Sequence, residues 1–168
     1  MNRYLCKKGM YMEEKSFTLN YREYDTIEEL PATYKHLYKA AIDATENSYA
    51  PYSQFNVGAA VLMENGAVIT GSNQENAAYP SGLCAERTAL FYASASRPDK
   101  AMTGIAIAAG QNGQICKSPA TPCGACRQVM AQYQTKSGKS MSVLLVGAEK
   151  IWRFEKVDDL LPLIFDSI

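Results

Sequence analysis

The sequence predicts a three-layer α/β/α sandwich around a mixed sheet of about five strands, preceded by an N-terminal extension that adds a strand. Three observations lead there. Apolar runs of strand length recur at Phe55–Met63, Thr103–Ala109 and Met141–Val146. Segments with helical spacing of apolar residues alternate with them, which calls for helices packed on a sheet. The chain has 168 residues, 47% hydrophobic and 20% charged, enough for one well-buried core and too apolar for disorder. The organisation expected is an extension over residues 1–25 and one main domain over 26–168.

The elements follow in chain order. Phe17, Leu19 and Tyr21 alternate with polar residues, the period of a strand. Tyr34, Leu37, Ala41 and Ala44 fall at helical intervals, so a helix is expected from Ala32 to about Ser48. Pro31 suits its start, and Pro51 lies beyond its end. After strand Phe55–Met63, Asn65-Gly66 reads as a type I′ hairpin turn leading to a return strand over Ala67–Gly71. Cys84–Ser96 reads as a helix closed by Arg97-Pro98, and Cys123 to about Gln134 as another with Gly138 after it. Ile151–Phe154 adds a strand. Val157–Phe165 reads as a short C-terminal helix interrupted by Pro162.

Seventeen basic residues balance seventeen acidic ones. A chain without net positive charge is a poor nucleic-acid coat or anionic-membrane binder, but suits a small neutral substrate. The first fifteen residues hold charges and no apolar core of a leader, and the longest apolar stretch, near Ile105–Gly110, is far too short for a bilayer. The expectation is a cytoplasmic protein with no nucleic-acid or membrane partner. In that reducing compartment the five cysteines are better placed to bind metal or do chemistry than to form bridges.

Two segments carry chemistry: Cys84-Ala85-Glu86-Arg87 and Pro122-Cys123-Gly124-Ala125-Cys126-Arg127. Each begins a helix with a cysteine, where unpaired backbone N–H groups favour the thiolate. Cys123 and Cys126 are three apart and share one face of a first turn. With Cys84 they make a three-thiolate set, and zinc held by three protein ligands keeps a fourth position for water, the pattern of a catalytic site. Glu86, two residues past Cys84, can reach that water without ligating and move its protons. Buried structural cysteines, a structural zinc site and a C-x-x-C redox pair are the other readings of the thiols. No fourth cysteine or histidine has supporting spacing: Cys6 and Cys116 lie outside the pattern, and His36 sits on a helix face. Taken alone, Glu86 reads as a helix-start acid, Asn73 and Glu75 as turn residues, and Phe55 and Phe165 as core aromatics.

Taken together, these segments resemble the cytidine deaminase family, in its small homotetrameric three-cysteine form. The zinc-deaminase signature is general to that family, and here it reads C-A-E…P-C-G-A-C. The likeness extends through Tyr49-Ala50-Pro51-Tyr52-Ser53-Gln54-Phe55-Asn56-Val57-Gly58-Ala59-Ala60, Asn73-Gln74-Glu75-Asn76-Ala77-Ala78-Tyr79 and Leu160-Leu161-Pro162, covering about residues 32–165. It implies hydrolytic deamination of cytidine or deoxycytidine to the uridine and ammonia, in pyrimidine salvage, with one Zn²⁺ per chain on Cys84, Cys123 and Cys126. Glu86 is then the proton shuttle. Asn73 and Glu75 match the family's ribose-holding N-x-E, Phe55 the aromatic against the pyrimidine, and the Ala85 N–H a reader of the base. Phe165, Ala77 and Tyr79 match positions that reach a neighbouring subunit's site, so a homotetramer with shared sites is implied.

Three thiolates and Zn²⁺ sum to a single negative charge, which makes the metal a weaker Lewis acid. A guanidinium donating to the sulfurs offsets this. Arg87 matches the family's C-A-E-R arginine, and Arg127, beside the last ligand, is the second candidate. The small residues Ala85, Ala89 and Ala93 suit close packing of subunits. Two other readings stand beside the first: a deaminase for another aminopyrimidine nucleoside, and a non-enzymatic zinc-binding or nucleoside-sensing protein. Glu86 argues against the latter. The resemblance leaves residues 1–25 without an account.

Overall fold

A computed structural model describes residues 13–166. Its sheet runs β1 (Arg22–Tyr24), β7 (Ile151–Phe154), β6 (Ser142–Val146), β4 (Met102–Gln111), β2 (Phe55–Met63), β3 (Val68–Ser72) in spatial order, and a short β5 (Gln114–Ile115) pairs with the end of β4. Only β4 and β6 pair in parallel; the other neighbours are antiparallel. Parallel neighbours need a crossover, and α3 (Gly124–Ser137) supplies it.

Strand residues alternate between two cores. Ala59, Val61, Met63, Ile105, Ile107, Val143 and Leu145 face α2 (Ala85–Ser96) and α3, packing with Ala89, Leu90, Met130 and Ala131. Ala60, Ala106, Ala108, Leu144 and Val146 face α1 (Ala32–Ala44), meeting Leu37 and Ala41. Burial on both faces explains why these strands read as continuous apolar runs. The three-layer sandwich holds, with seven strands counting the extension's and β5.

Strand order also makes the site. β2 is antiparallel to both β3 and β4, so those two strands point the same way. The chain leaving each one enters α2 or α3 from the same edge of the sheet. Gly71 on β3 lets α2 approach closely: a Cβ there would lie 2.4 Å from the Ala89 backbone N.

Several expectations change. The strand expected over Phe17–Tyr21 is displaced to Arg22–Tyr24, which pairs with the open edge of β7. Phe17, Leu19 and Tyr21 lie outside any strand and are exposed, with the Tyr21 ring 5.4 Å from those of Trp152 and Phe154. The first helix ends at Ala44 and tightens into a 3₁₀ turn over Thr45–Asn47, where the Thr45 hydroxyl donates back to Ile42 O. Asn65-Gly66 is not a type I′ turn, since only Gly66 takes a positive φ, of 84°. Gly66 N donates to Met63 O and Met63 N to Ala67 O, a wider turn with a glycine bulge. The two-residue turn with both φ positive falls instead at Asn112-Gly113, between β4 and β5. The C-terminal helix shrinks to a 3₁₀ turn at Val157–Asp159, because Pro162 cannot continue it. Ala85, Ala89 and Ala93 are fully buried within the chain's own core, so they form no subunit face; Phe91 and Tyr92 are the exposed large side chains of α2. His36 is exposed as expected, and Cys6 lies outside the described residues.

Candidate metal centre and nucleoside pocket

Cys84 and Cys123 are the residues immediately before α2 and α3, both in extended conformation, and neither side chain caps its own helix. Their sulfurs are therefore free to point at each other. With Cys126, one turn into α3, the three Sγ atoms lie within 4.8 Å of one another. Cys123 and Cys126 are 3.5 Å apart, Sγ to Sγ. Tetrahedral zinc at Zn–S of about 2.3 Å holds sulfurs about 3.8 Å apart, so the cluster fits that ion. It is the only group of three metal-ligating side chains found among the described residues.

The charge environment favours thiolate. Arg87 Nη2 donates to Cys84 Sγ at 3.5 Å. The hydrogen bond from Cys126, and after it the Arg87 guanidinium, draws the Cys84 thiol down to about 5. Cys126 moves the opposite way, as donor in that bond and by burial. Arg87 Nε is buried with no partner among the described residues, a donor still unspent on the guanidinium that serves the thiols. Arg127 is differently engaged. Its Nε donates to Pro122 O at 2.8 Å and its Nη1 to Leu160 O at 3.0 Å. Those bonds tie the ligand loop to the C-terminal segment, and the hydrogen bond to sulfur belongs to Arg87.

Glu86 lies on the first turn of α2, 5% exposed. Burial pushes its carboxyl above the ordinary carboxylate value, and the Cys84 charge adds to the rise. A raised carboxyl suits a group that must both take and give a proton near neutrality.

A cavity of about 660 Å³ opens over these groups. That is the size class of a small-molecule site. Cys84, Ala85, Glu86, Arg87 and Cys123 line it together with Phe55, Asn73, Glu75 and Tyr79. Ala77 and Phe165 do not line it; both are exposed, Phe165 at 69%. Asn73 is braced on β2, accepting from Val57 N at 2.8 Å and donating to Phe55 O at 2.9 Å. The Glu75 carboxylate accepts from Tyr52 N and Ser53 N at 2.8 and 3.3 Å. It thereby clamps the loop before β2, where Gln54 takes a left-handed φ of 55°. The Ser53 hydroxyl and then the Tyr52 N–H hold the Glu75 carboxyl below its ordinary value.

Sequence reasoning missed Val57, Ile107 and Thr121 on the cavity wall and the clamping of the loop by Glu75. Val57 was findable, since it shares a strand face with Phe55. Ile107 and Thr121 carry no local signal, because folding alone brings them there. Among the described residues no helix is long and apolar enough to cross a membrane.

The family described as the cytidine and deoxycytidylate deaminase zinc-binding region matches residues 31–140. A cytidine deaminase of Halalkalibacterium halodurans is 55% identical over 97 residues, spanning 57% of this chain and 68% of the relative. One of Sporosarcina psychrophila is 41% identical over 124 residues, spanning 74% and 85%. The crystal structure of cytidine deaminase from Burkholderia pseudomallei superposes with a TM-score of 0.67 at 39% identity, covering 77% of this chain and 97% of that one. The enzyme from Mycobacterium tuberculosis gives 0.62 at 30% identity, covering 80% and 98%.

Proposed function

The chain belongs to the family of cytidine and deoxycytidylate deaminases defined by their zinc-binding region, and on that premise we propose that it hydrolyses cytidine and deoxycytidine to uridine and deoxyuridine, releasing ammonia. What carries the reading is a buried glutamate, Glu86, lining the same cavity as Cys84 and Cys123 of the three-thiol cluster.

Cys84, Cys123 and Cys126 hold the metal. Bound zinc supplies a Lewis acid that makes water nucleophilic near neutral pH. The chain's own residues do the rest. The Glu86 carboxylate takes a proton from the water that attacks C4 and delivers it to N3. It then carries the second proton to the 4-amino nitrogen, so that the C4–O bond forms, the C4–N bond breaks and ammonia leaves. Arg87 withdraws charge from the Cys84 sulfur. Phe55 packs against the pyrimidine, the Ala85 N–H reads its edge, and Asn73 with Glu75 holds the ribose 3′-hydroxyl. Glu75 has the further task of fixing the Tyr52–Ser53 loop.

The working molecule is a homotetramer in which Ala77, Tyr79 and Phe165 reach a neighbour's site, Tyr79 while also lining the cavity of its own chain. The exposure of Tyr79 at 77%, Leu163 at 76% and Phe165, outside their own chain's core, supports this. Residues 26–168 are read as the catalytic unit and 1–25 as an extension, and the start of the family match at residue 31 lends that division support. The reaction belongs to pyrimidine salvage in the cytoplasm, where free thiols remain available to metal.

The testing experiment is ammonia release across a panel of aminopyrimidines. Cytidine and deoxycytidine should be turned over, and free cytosine and the nucleoside monophosphate far less. Turnover confined to a different aminopyrimidine nucleoside would favour the second reading.

A further inference from the structure

The C-terminal segment reaches Phe165 with no helix to hold it, and side chains of α3 hold it instead. Arg127 takes Leu160 O at the segment's start. Gln128 takes Phe165 near its end: Gln128 Nε2 donates to Phe165 O at 2.7 Å, and Phe165 N donates to Gln128 Oε1 at 3.3 Å. One carboxamide thus satisfies both backbone groups of one residue, as a neighbouring strand would. The Phe165 backbone is tied to the same helix that carries Cys126, two residues before Gln128. The residue as a whole is left 69% exposed. A large aromatic held out from a rigid helix costs ordering entropy with no burial in its own chain to offset it. That cost is recovered where a second copy covers the ring, because a pre-ordered group binds with less left to lose.

We propose that Gln128 is a positioning residue for the reaction: by pairing with both backbone groups of Phe165 it presents the ring, already ordered, to the nucleoside pocket of a neighbouring copy of the chain. The inference rests on the sharing of sites proposed above and adds the device that sets its geometry.

The test is a double-mutant cycle on the zinc-loaded enzyme, with KM, kcat, zinc content and oligomeric state measured for each variant. Phe165→Ala should raise KM for cytidine with a smaller change in kcat. Gln128→Ala should raise KM in the same direction by roughly 3–10-fold, as expected for one or two lost hydrogen bonds. Gln128→Glu, which keeps the acceptor for Phe165 N and loses the donor, should fall between. In the Phe165→Ala background, Gln128→Ala should add nothing. A merely structural glutamine would instead give effects that multiply. If they multiply, or if Gln128→Ala leaves KM unchanged while Phe165→Ala raises it, the role given to Gln128 is wrong and the sharing of sites survives. If Phe165→Ala leaves KM unchanged in an intact oligomer, the sharing itself fails and the proposal falls with it.

Discussion

Arg87 Nη2 stands 3.5 Å from Cys84 Sγ, one turn further along the helix that Cys84 begins. The pair links the charge of the metal cluster to the helix that also carries Glu86. Replacing Arg87 with Gln should leave the zinc more weakly acidic and lower kcat, by about 10–100-fold on the scale of residues that support metal ligands. Arg87→Lys should recover little, because a point charge lacks the planar donor fork. Steady-state kinetics beside elemental zinc analysis checks this; an unchanged kcat in zinc-replete Arg87→Gln would remove the arginine from the chemistry.

Glu75 predicts a pH dependence. Its carboxyl lies below its ordinary 4.5 in the folded chain, held by the Ser53 hydroxyl and the Tyr52 N–H. A depressed carboxyl contributes stability above its unfolded value and loses it as pH falls through the folded one. Thermal melts should therefore show the wild type above Glu75→Gln near neutral pH, with the gap closing only as the pH falls below the ordinary carboxylate range. A gap that stays constant across this range would show that ionisation does not drive the clamp.

Asn73 makes two hydrogen bonds to β2 and faces the cavity. Asn73→Ala should cost nucleosides more in kcat/KM than it costs free cytosine, since only the former have a ribose to lose. Equal losses would mean that the residue braces the strand and does not touch the sugar.

Phe91 and Tyr92 on α2, with Tyr79 and Phe165, are large side chains left exposed on the single chain, and the proposed tetramer would cover them. Light scattering on the zinc-loaded protein should give the mass of four chains, and a monomer at working concentration contradicts the shared site.

Cys123 with Cys126, and Cys84 with Glu86, were legible as two local pairs, while strand order is what brings the two pairs together. Cys123 and Cys126 meet through helical spacing, and Cys84 and Glu86 through their offset at a helix start. The sandwich was legible for a similar reason, since period and length alone separate its strands from its helices. What stayed hidden depends on backbone partners or on distant packing. Arg127 binds two carbonyls, which have no sequence signature, so its place beside a ligand suggested a role at sulfur. Ala85 and Ala89 are small because β3 passes close at Gly71, and small residues such as these and the buried Ala93 look the same whether a strand or another subunit approaches. Asn65-Gly66 and Asn112-Gly113 share a dipeptide, yet only the second joins strands in register for a two-residue turn.

The most direct measurement is the zinc content and ammonia release of Glu86→Ala, prepared in parallel with the wild type. The account predicts about one zinc per chain in both, with turnover of cytidine reduced by at least roughly 10²–10⁴-fold in the variant, the range for loss of a general acid–base group. A Glu86→Ala enzyme that holds its zinc and still deaminates cytidine at the wild-type rate would contradict it.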